Sequence, residues 1–115
     1  TPRSFIASVS TIVNAGARPV FADVDMVSGN ITGETVAPVI TNKTRGIIAV
    51  HLAGWPCDMD GLREAIGGRE IRLIEDCAQA HGAMYKGNPV GGLGDVAAWS
   101  FCHDDWWRGR HGHLR

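Results

Sequence analysis

Two adjacent carboxylates, Glu75 and Asp76, close the apolar run of Ile71, Leu73 and Ile74, and the small-residue passage Cys77-Ala78-Gln79-Ala80-His81-Gly82-Ala83 follows them. Such a run reads as a strand inside a sheet, with the acids at its carboxyl end, where open α/β sheets place their ligand crevice. A carboxylate taken from water there is costly unless a cation or donor meets it. A protonated pyridine nitrogen on a bound ring would meet it, which makes Asp76 the leading candidate. The competing reading is that Asp76 caps the next turn or pairs with an arginine.

Other reactive side chains carry weaker patterns. Cys57, Cys77 and Cys102 are odd in number and share no CxxC spacing, so they predict reduced thiols, neither a disulfide framework nor a zinc ribbon. Cys77 beside Asp76 reads as a small packed side chain, because a neighbouring carboxylate raises a thiol's pKa. His51 ends an apolar run and reads as a satisfied imidazole near the core, with substrate contact as the alternative. Gly91-Gly92-Leu93-Gly94 resembles a phosphate loop, yet it precedes a strand where such loops precede a helix, so it reads as a turn. Cys102, His103, Asp104, His111 and His113 match no standard zinc spacing, so no metal site is expected. Arg108, Arg110 and Arg115 with two tryptophans form too short a run for nucleic-acid stacking.

The elements that must position Asp76 follow from periodicity. Phe5, Ile6, Val9, Ile12 and Val13 recur at helical spacing, with Ser4 as a possible N-cap and Gly16 as the stop. Pro19 to Val24 reads as a short strand closed by Asp25. The stretch from Ile31 to Ile40 is ambiguous, with Pro38 limiting any helix. Gly46 to Leu52 is a continuous apolar run suited to a strand covered on both faces. A helix capped by Asp58 or Asp60 turns Leu62, Ala65 and Ile66 inward and stops at Gly67-Gly68. A strand at 71–75, a loop-rich passage and a strand at 95–101 complete an α/β unit with a mostly parallel sheet.

The 115 residues allow one domain with a modest core, and 44% hydrophobic with 20% charged residues is ordinary globular composition. A formal net charge of −1 creates no field to recruit nucleic acid or an acidic membrane. No run is long enough to span a bilayer and no signal-peptide layout opens the chain, so the expected address is cytoplasmic. The chain begins Thr1-Pro2-Arg3, without an initiator methionine, which suggests a piece of something longer.

Four blocks in order carry a resemblance: SFIASVSTIVNAGARPVFADVD (Ser4 to Asp25), IIAVHLAGWPCDMDGL (Ile47 to Leu62), IEDCAQAHGA (Ile74 to Ala83) and GDVAAWSF (Gly94 to Phe101). Together they resemble the DegT/DnrJ/EryC1/StrS family of sugar aminotransferases, which depend on pyridoxal 5'-phosphate. The resemblance runs over residues 1–104. It implies a fragment of the large cofactor-binding domain of a fold-type-I aminotransferase, a partial three-layer α/β sandwich with a mostly parallel sheet. The reaction it implies moves an amino group, usually from glutamate, to a nucleotide-linked keto-sugar, in a homodimer. By resemblance, Asp76 pairs with the ring nitrogen, Gln79 lies near the ring's phenolic oxygen, Phe5 stacks on the ring and Ser100 binds the phosphate. His81 falls in the loop motif as a structural residue.

The chain departs from the family where the Schiff-base lysine should stand, five residues after the position of Ser100, because Asp105 occupies it. Lys43 and Lys86 lie in polar loops outside any family lysine motif. Residues 105–115 suggest how the lysine was lost: back-translated and shifted by one base, they can spell TGGEGGMVTF, like the family's next block. The expectation is an out-of-frame tail on a chain without transaminase activity of its own. The alternatives are a non-catalytic pseudoenzyme or misfolded remnant, and a lysine-less sugar dehydratase relative.

Overall fold

Gly46–Val50 (β1) and Arg72–Asp76 (β2) run parallel, with Ile48 opposite Ile74 and Val50 opposite Asp76. Val96–Ala98 (β5) joins the other side of β2, also parallel, with Ala98 opposite Asp76. These pairings come from a computed structural model that describes residues 1–102. The sheet order β1-β2-β5 puts β2 in the middle, so its last residue, Asp76, has a neighbour on each side. This is the mostly parallel α/β sheet that alternating helices and apolar strands predict.

Side-chain alternation divides the sheet's two faces. Ile47, Ala49 and Leu73 enter a core cluster with Met59, Leu62 and Ile66 of the helix Met59–Ile66 (α3). Leu62 and Met59 are fully buried, and each contributes about 2 kcal/mol on removal from water. Asp58 caps α3 by accepting a hydrogen bond from the Gly61 amide, and Gly67 ends it at φ +60°. The opposite face, with Ile48 and Ile74, is half-buried, so the described residues form the sheet and one helical layer of the expected sandwich.

Gly33–Val36 (α2) is a single turn with a reciprocal Thr32 and Thr35 capping box, and Pro38 ends it by turning Ala37–Val39 into a 3-10 helix. It packs on α3 through a glycine contact. A Cβ on Gly33 would overlap the Gly61 carbonyl, coming within 2.7 Å of its carbon. Gly33→Ala should therefore cost about 2 kcal/mol, read as a lower urea midpoint at an unchanged m-value.

The first helix is Ala7–Asn14 (α1), and it buries none of its residues. Gly16 takes φ +75°, and the Ala17 amide bonds back to Ile12 while that of Gly16 bonds to Val13, the expected glycine stop. Ser4 is not the cap: α1 starts after Ile6 without a side-chain cap, and the Ser4 hydroxyl pairs with that of Ser8 at 2.6 Å. The expected strand at Pro19 to Val24 is absent, since no neighbouring strand pairs with it, and Val20 and Phe21 are exposed. The strand expected at 95–101 shrinks to Val96–Ala98, because β2 turns away after Asp76 and leaves no ladder for Trp99 and Ser100. The passage read as loop holds a hairpin, Met84–Tyr85 (β3) and Asn88–Pro89 (β4), closed by Lys86 and Gly87, both at positive φ. No helix among the described residues is long and apolar enough to cross a membrane.

Candidate functional site

Asp76 closes the middle strand at the carboxyl end of the parallel sheet. Asp76 is half-buried; its Oδ2 accepts from the Ser8 hydroxyl at 2.8 Å and its Oδ1 from the Ala78 amide at 3.2 Å. Both earlier readings of Asp76 thus have a physical basis, because it caps the following turn and also retains acceptor positions. A carboxylate offers about four lone-pair sites, so two remain for an incoming N–H. No arginine pairs with it among the described salt bridges.

Gln79 and Ser100 follow the ends of β2 and β5, and Phe5 precedes α1. Gln79 Oε1 accepts from the Ala53 amide at 2.9 Å, which fixes the turn after β1 where Ala53 sits in the left-handed region at φ +53°. The Gln79 amide nitrogen is left to donate elsewhere. Ser100 lies two residues beyond Ala98, the strand partner of Asp76, and its Oγ accepts from the Cys102 amide at 3.2 Å. Phe5 is 72% exposed just before α1, so it is not helix core. Two surface clefts lie elsewhere, one beside Arg63, Arg69 and Arg72 and the other beside Trp55, Asp58 and Tyr85, and neither is lined by these four residues.

These side chains offer an acceptor, an amide donor, an exposed aromatic face and a hydroxyl, the kinds of group that the resemblance implies around pyridoxal phosphate. The covalent amine is another matter. Lys86 donates to Asp60 over the Tyr85 ring, and that hydrogen bond raises its pKa, which makes it a poor nucleophile. Position 105, the tail from 105 to 115, and the set His103, Asp104, His111 and His113 lie outside the described residues.

Strand alternation turns the neighbouring acid, Glu75, to the other face, where it is completely buried. Its Oε1 accepts from the amides of Leu93 at 2.7 Å and Gly94 at 2.5 Å; its Oε2 accepts from the Gly91 amide at 2.8 Å and from His51 Nε2 at 3.1 Å. Burial pushes this carboxyl up, but the Gly91 and Gly94 amides, His51 and the Leu93 amide outweigh it, and the pKa falls below the usual glutamate value. His51 Nδ1 accepts from the Cys57 amide at 3.0 Å, so the proton sits on Nε2 and points at Glu75. His51 is the satisfied core imidazole its position suggests. Sequence reasoning singled out Asp76 and passed over Glu75; the available signal was that Leu73 and Glu75 share a face.

His51, Glu75 and Cys77 bring ligand atoms within 4.8 Å of one another. All four lone-pair positions of Glu75 are taken by N–H donors, so this cluster offers a metal no free carboxylate. Burial, reinforced by Glu75 and Asp76, pushes the Cys77 thiol to about 12, and burial does the same for Cys57. All three cysteines are free and Cys102 is exposed. Iodoacetamide near neutral pH should therefore alkylate Cys102 alone in the folded chain and all three after denaturation, as read by intact mass. His81 packs its ring on Trp99 and Phe101, at 5.1 and 5.5 Å between centroids, with Nε2 buried and without a hydrogen-bond partner among the described residues, a packing role that matches the structural reading.

Comparison with known proteins gives a consistent set of relatives. A sequence model of the DegT/DnrJ/EryC1/StrS aminotransferase family matches residues 1–104. GDP-perosamine synthase of Escherichia coli O157:H7 is 44% identical over 98 residues, which are 85% of this chain and 27% of that protein. The dTDP-3-amino-3,6-dideoxy-alpha-D-galactopyranose transaminase of Aneurinibacillus thermoaerophilus is 43% identical over the same shares of the two chains. The X-ray structure of the aminotransferase from Psychrobacter cryohalolentis superposes with a TM-score of 0.87 at 61% identity, over 90% of this chain and 26% of that one. The chain thus spans about a quarter of the length of the relatives it matches.

Proposed function

The chain belongs to the DegT/DnrJ/EryC1/StrS aminotransferase family and has the α/β fold of type I aminotransferases, and from that premise we propose that residues 1–104 form the part of a sugar aminotransferase that grips the ring of pyridoxal phosphate. The observation that carries this reading is the position of Asp76: the last residue of the middle strand, half-buried, with acceptor capacity left after Ser8 and Ala78. When bound, the cofactor supplies an electron sink for a carbanion formed beside the ring, and only a protonated ring nitrogen makes that sink deep. Asp76 would hold the proton there. Ser8 orients the Asp76 carboxylate by donating to its Oδ2. Gln79 would donate its amide N–H to the ring oxygen, Phe5 would cover one ring face, and Ser100 would donate to the phosphate.

The substrate class is a nucleotide-linked keto-sugar, with glutamate as amino donor, acting in a homodimer; the names of the relatives support the sugar. This chain by itself has no transaminase activity, because Asp105 stands where the amine should be and residues 105–115 are read out of frame. Two experiments test the reading. Sequencing the gene across codons 100–115 should reveal a small deletion that, when repaired, restores a lysine codon. Grafting residues 1–102 in place of the matching segment of the Psychrobacter cryohalolentis aminotransferase should give an active enzyme. An inactive graft that folds and takes up cofactor would refute the proposal.

A further inference from the structure

We propose that the Gly91–Gly94 turn is a carboxylate-binding site whose resident ligand is the protein's own Glu75, and that a small free carboxylate takes that place when the side chain is removed. The turn aims three backbone N–H groups at one point, and the two Glu75 oxygens fill it at 2.5 to 2.8 Å. Successive amides arranged this way form a concave anion cradle. Glycine is required for it: Gly91 sits at φ +90°, and a Cβ on Gly94 would lie 2.6 Å from the Leu73 carbonyl oxygen and 3.3 Å from Glu75 Oε1. Arg63 donates to the Leu93 carbonyl and holds the outside of the turn.

The chemistry of the cradle selects a planar monoanion. Each oxygen takes two donors, and the set contains amides and a neutral imidazole but no lysine or arginine. A single delocalised charge is matched by these dipoles, whereas a phosphate dianion would bring more charge than they balance. The likeness of this sequence to a phosphate loop thus has a physical basis, since it is an anion loop that the protein has filled itself.

Filling it also sets the neighbouring strand. The next residue, Asp95, donates its amide to the Leu73 carbonyl and accepts from the Leu73 amide, both at 2.7 Å, and β5 then pairs in register with β2 up to Asp76 and Ala98. On its other side Glu75 holds His51, which receives the Cys57 amide. The titratable groups facing Glu75 are therefore His51 from the end of β1, Cys57 from the connection to α3, and Cys77 just after β2.

The test uses the whole chain with Glu75→Ala. The variant should melt about 10 °C or more below the parent, and about 0.1 M sodium formate or acetate should recover at least half of that loss while leaving the parent unchanged. Equal recovery by sodium chloride at matched ionic strength, or no recovery by either carboxylate in a folded variant, would overturn the proposal. Should the variant fail to fold, the unmodified chain decides: on acid titration the amide signals of Gly91, Leu93 and Gly94 should move together in one step with a midpoint below the ordinary glutamate value. Amide signals that ignore that titration would refute the assignment as well.

Discussion

In the graft of residues 1–102 into the Psychrobacter cryohalolentis aminotransferase, Asp76→Ala should lower kcat by about a thousandfold with little change in KM. Removing the carboxylate leaves the ring nitrogen without the charge that keeps it protonated, and the electron sink is lost while the substrate's own contacts remain. Cofactor should still be retained, because the substitution leaves every other contact in place. Ser8→Ala removes one donor at 2.8 Å from Asp76, and it should cost about tenfold, the size expected when the partner of a functional group is removed and the group itself is kept. An equal loss in both variants would point to collapse of the α1 contact and away from ring chemistry.

Replacing Glu75 by leucine should destabilise the chain by about 3–5 kcal/mol, a large share of the roughly 5–15 kcal/mol that hold a domain folded. Leucine fills the volume but takes their acceptor from three amides of a half-buried turn and from the buried Nε2–H of His51. Glutamine should be nearly as costly, because its NH2 group would face an N–H donor that already points inward. His51 cannot relieve that clash by moving its proton, since Nδ1 is occupied by the Cys57 amide. The same carboxylate sets a pH dependence. Its folded pKa lies below the unfolded value, so its contribution is fully present above the ordinary glutamate pKa of about 4.3 and is lost as pH falls through the folded pKa. Urea midpoints followed downward from neutral pH should fall in that window in the parent and stay flatter in the leucine variant.

How much of this was legible in the sequence depends on the range of the interaction. The strands around Ile47 to Val50 and Leu73 to Asp76, their parallel pairing and the helix capped by Asp58 follow from apolar runs, alternation and a local cap, and they are where the sequence puts them. The segment Pro19 to Val24 has strand composition, but a strand exists only against a neighbour, and composition carries no information about that. The two acids differ for a similar reason. Asp76 was readable from its strand-end position, whereas the meaning of Glu75 depends on amides 16 to 19 residues away, in a turn whose glycines resembled a phosphate loop. The roles expected of Gln79, Phe5 and Ser100 come from the resemblance of four blocks to one family and not from periodicity.

The most direct measurement of the central claim is the protonation state of the ring nitrogen. With nitrogen-15 in the pyridine ring of the cofactor, the graft carrying Asp76 should give the chemical shift of a protonated ring nitrogen at neutral pH, and its Asp76→Ala variant should give that of an unprotonated one. A protonated nitrogen in both proteins would contradict the account, because the proton would then owe nothing to Asp76.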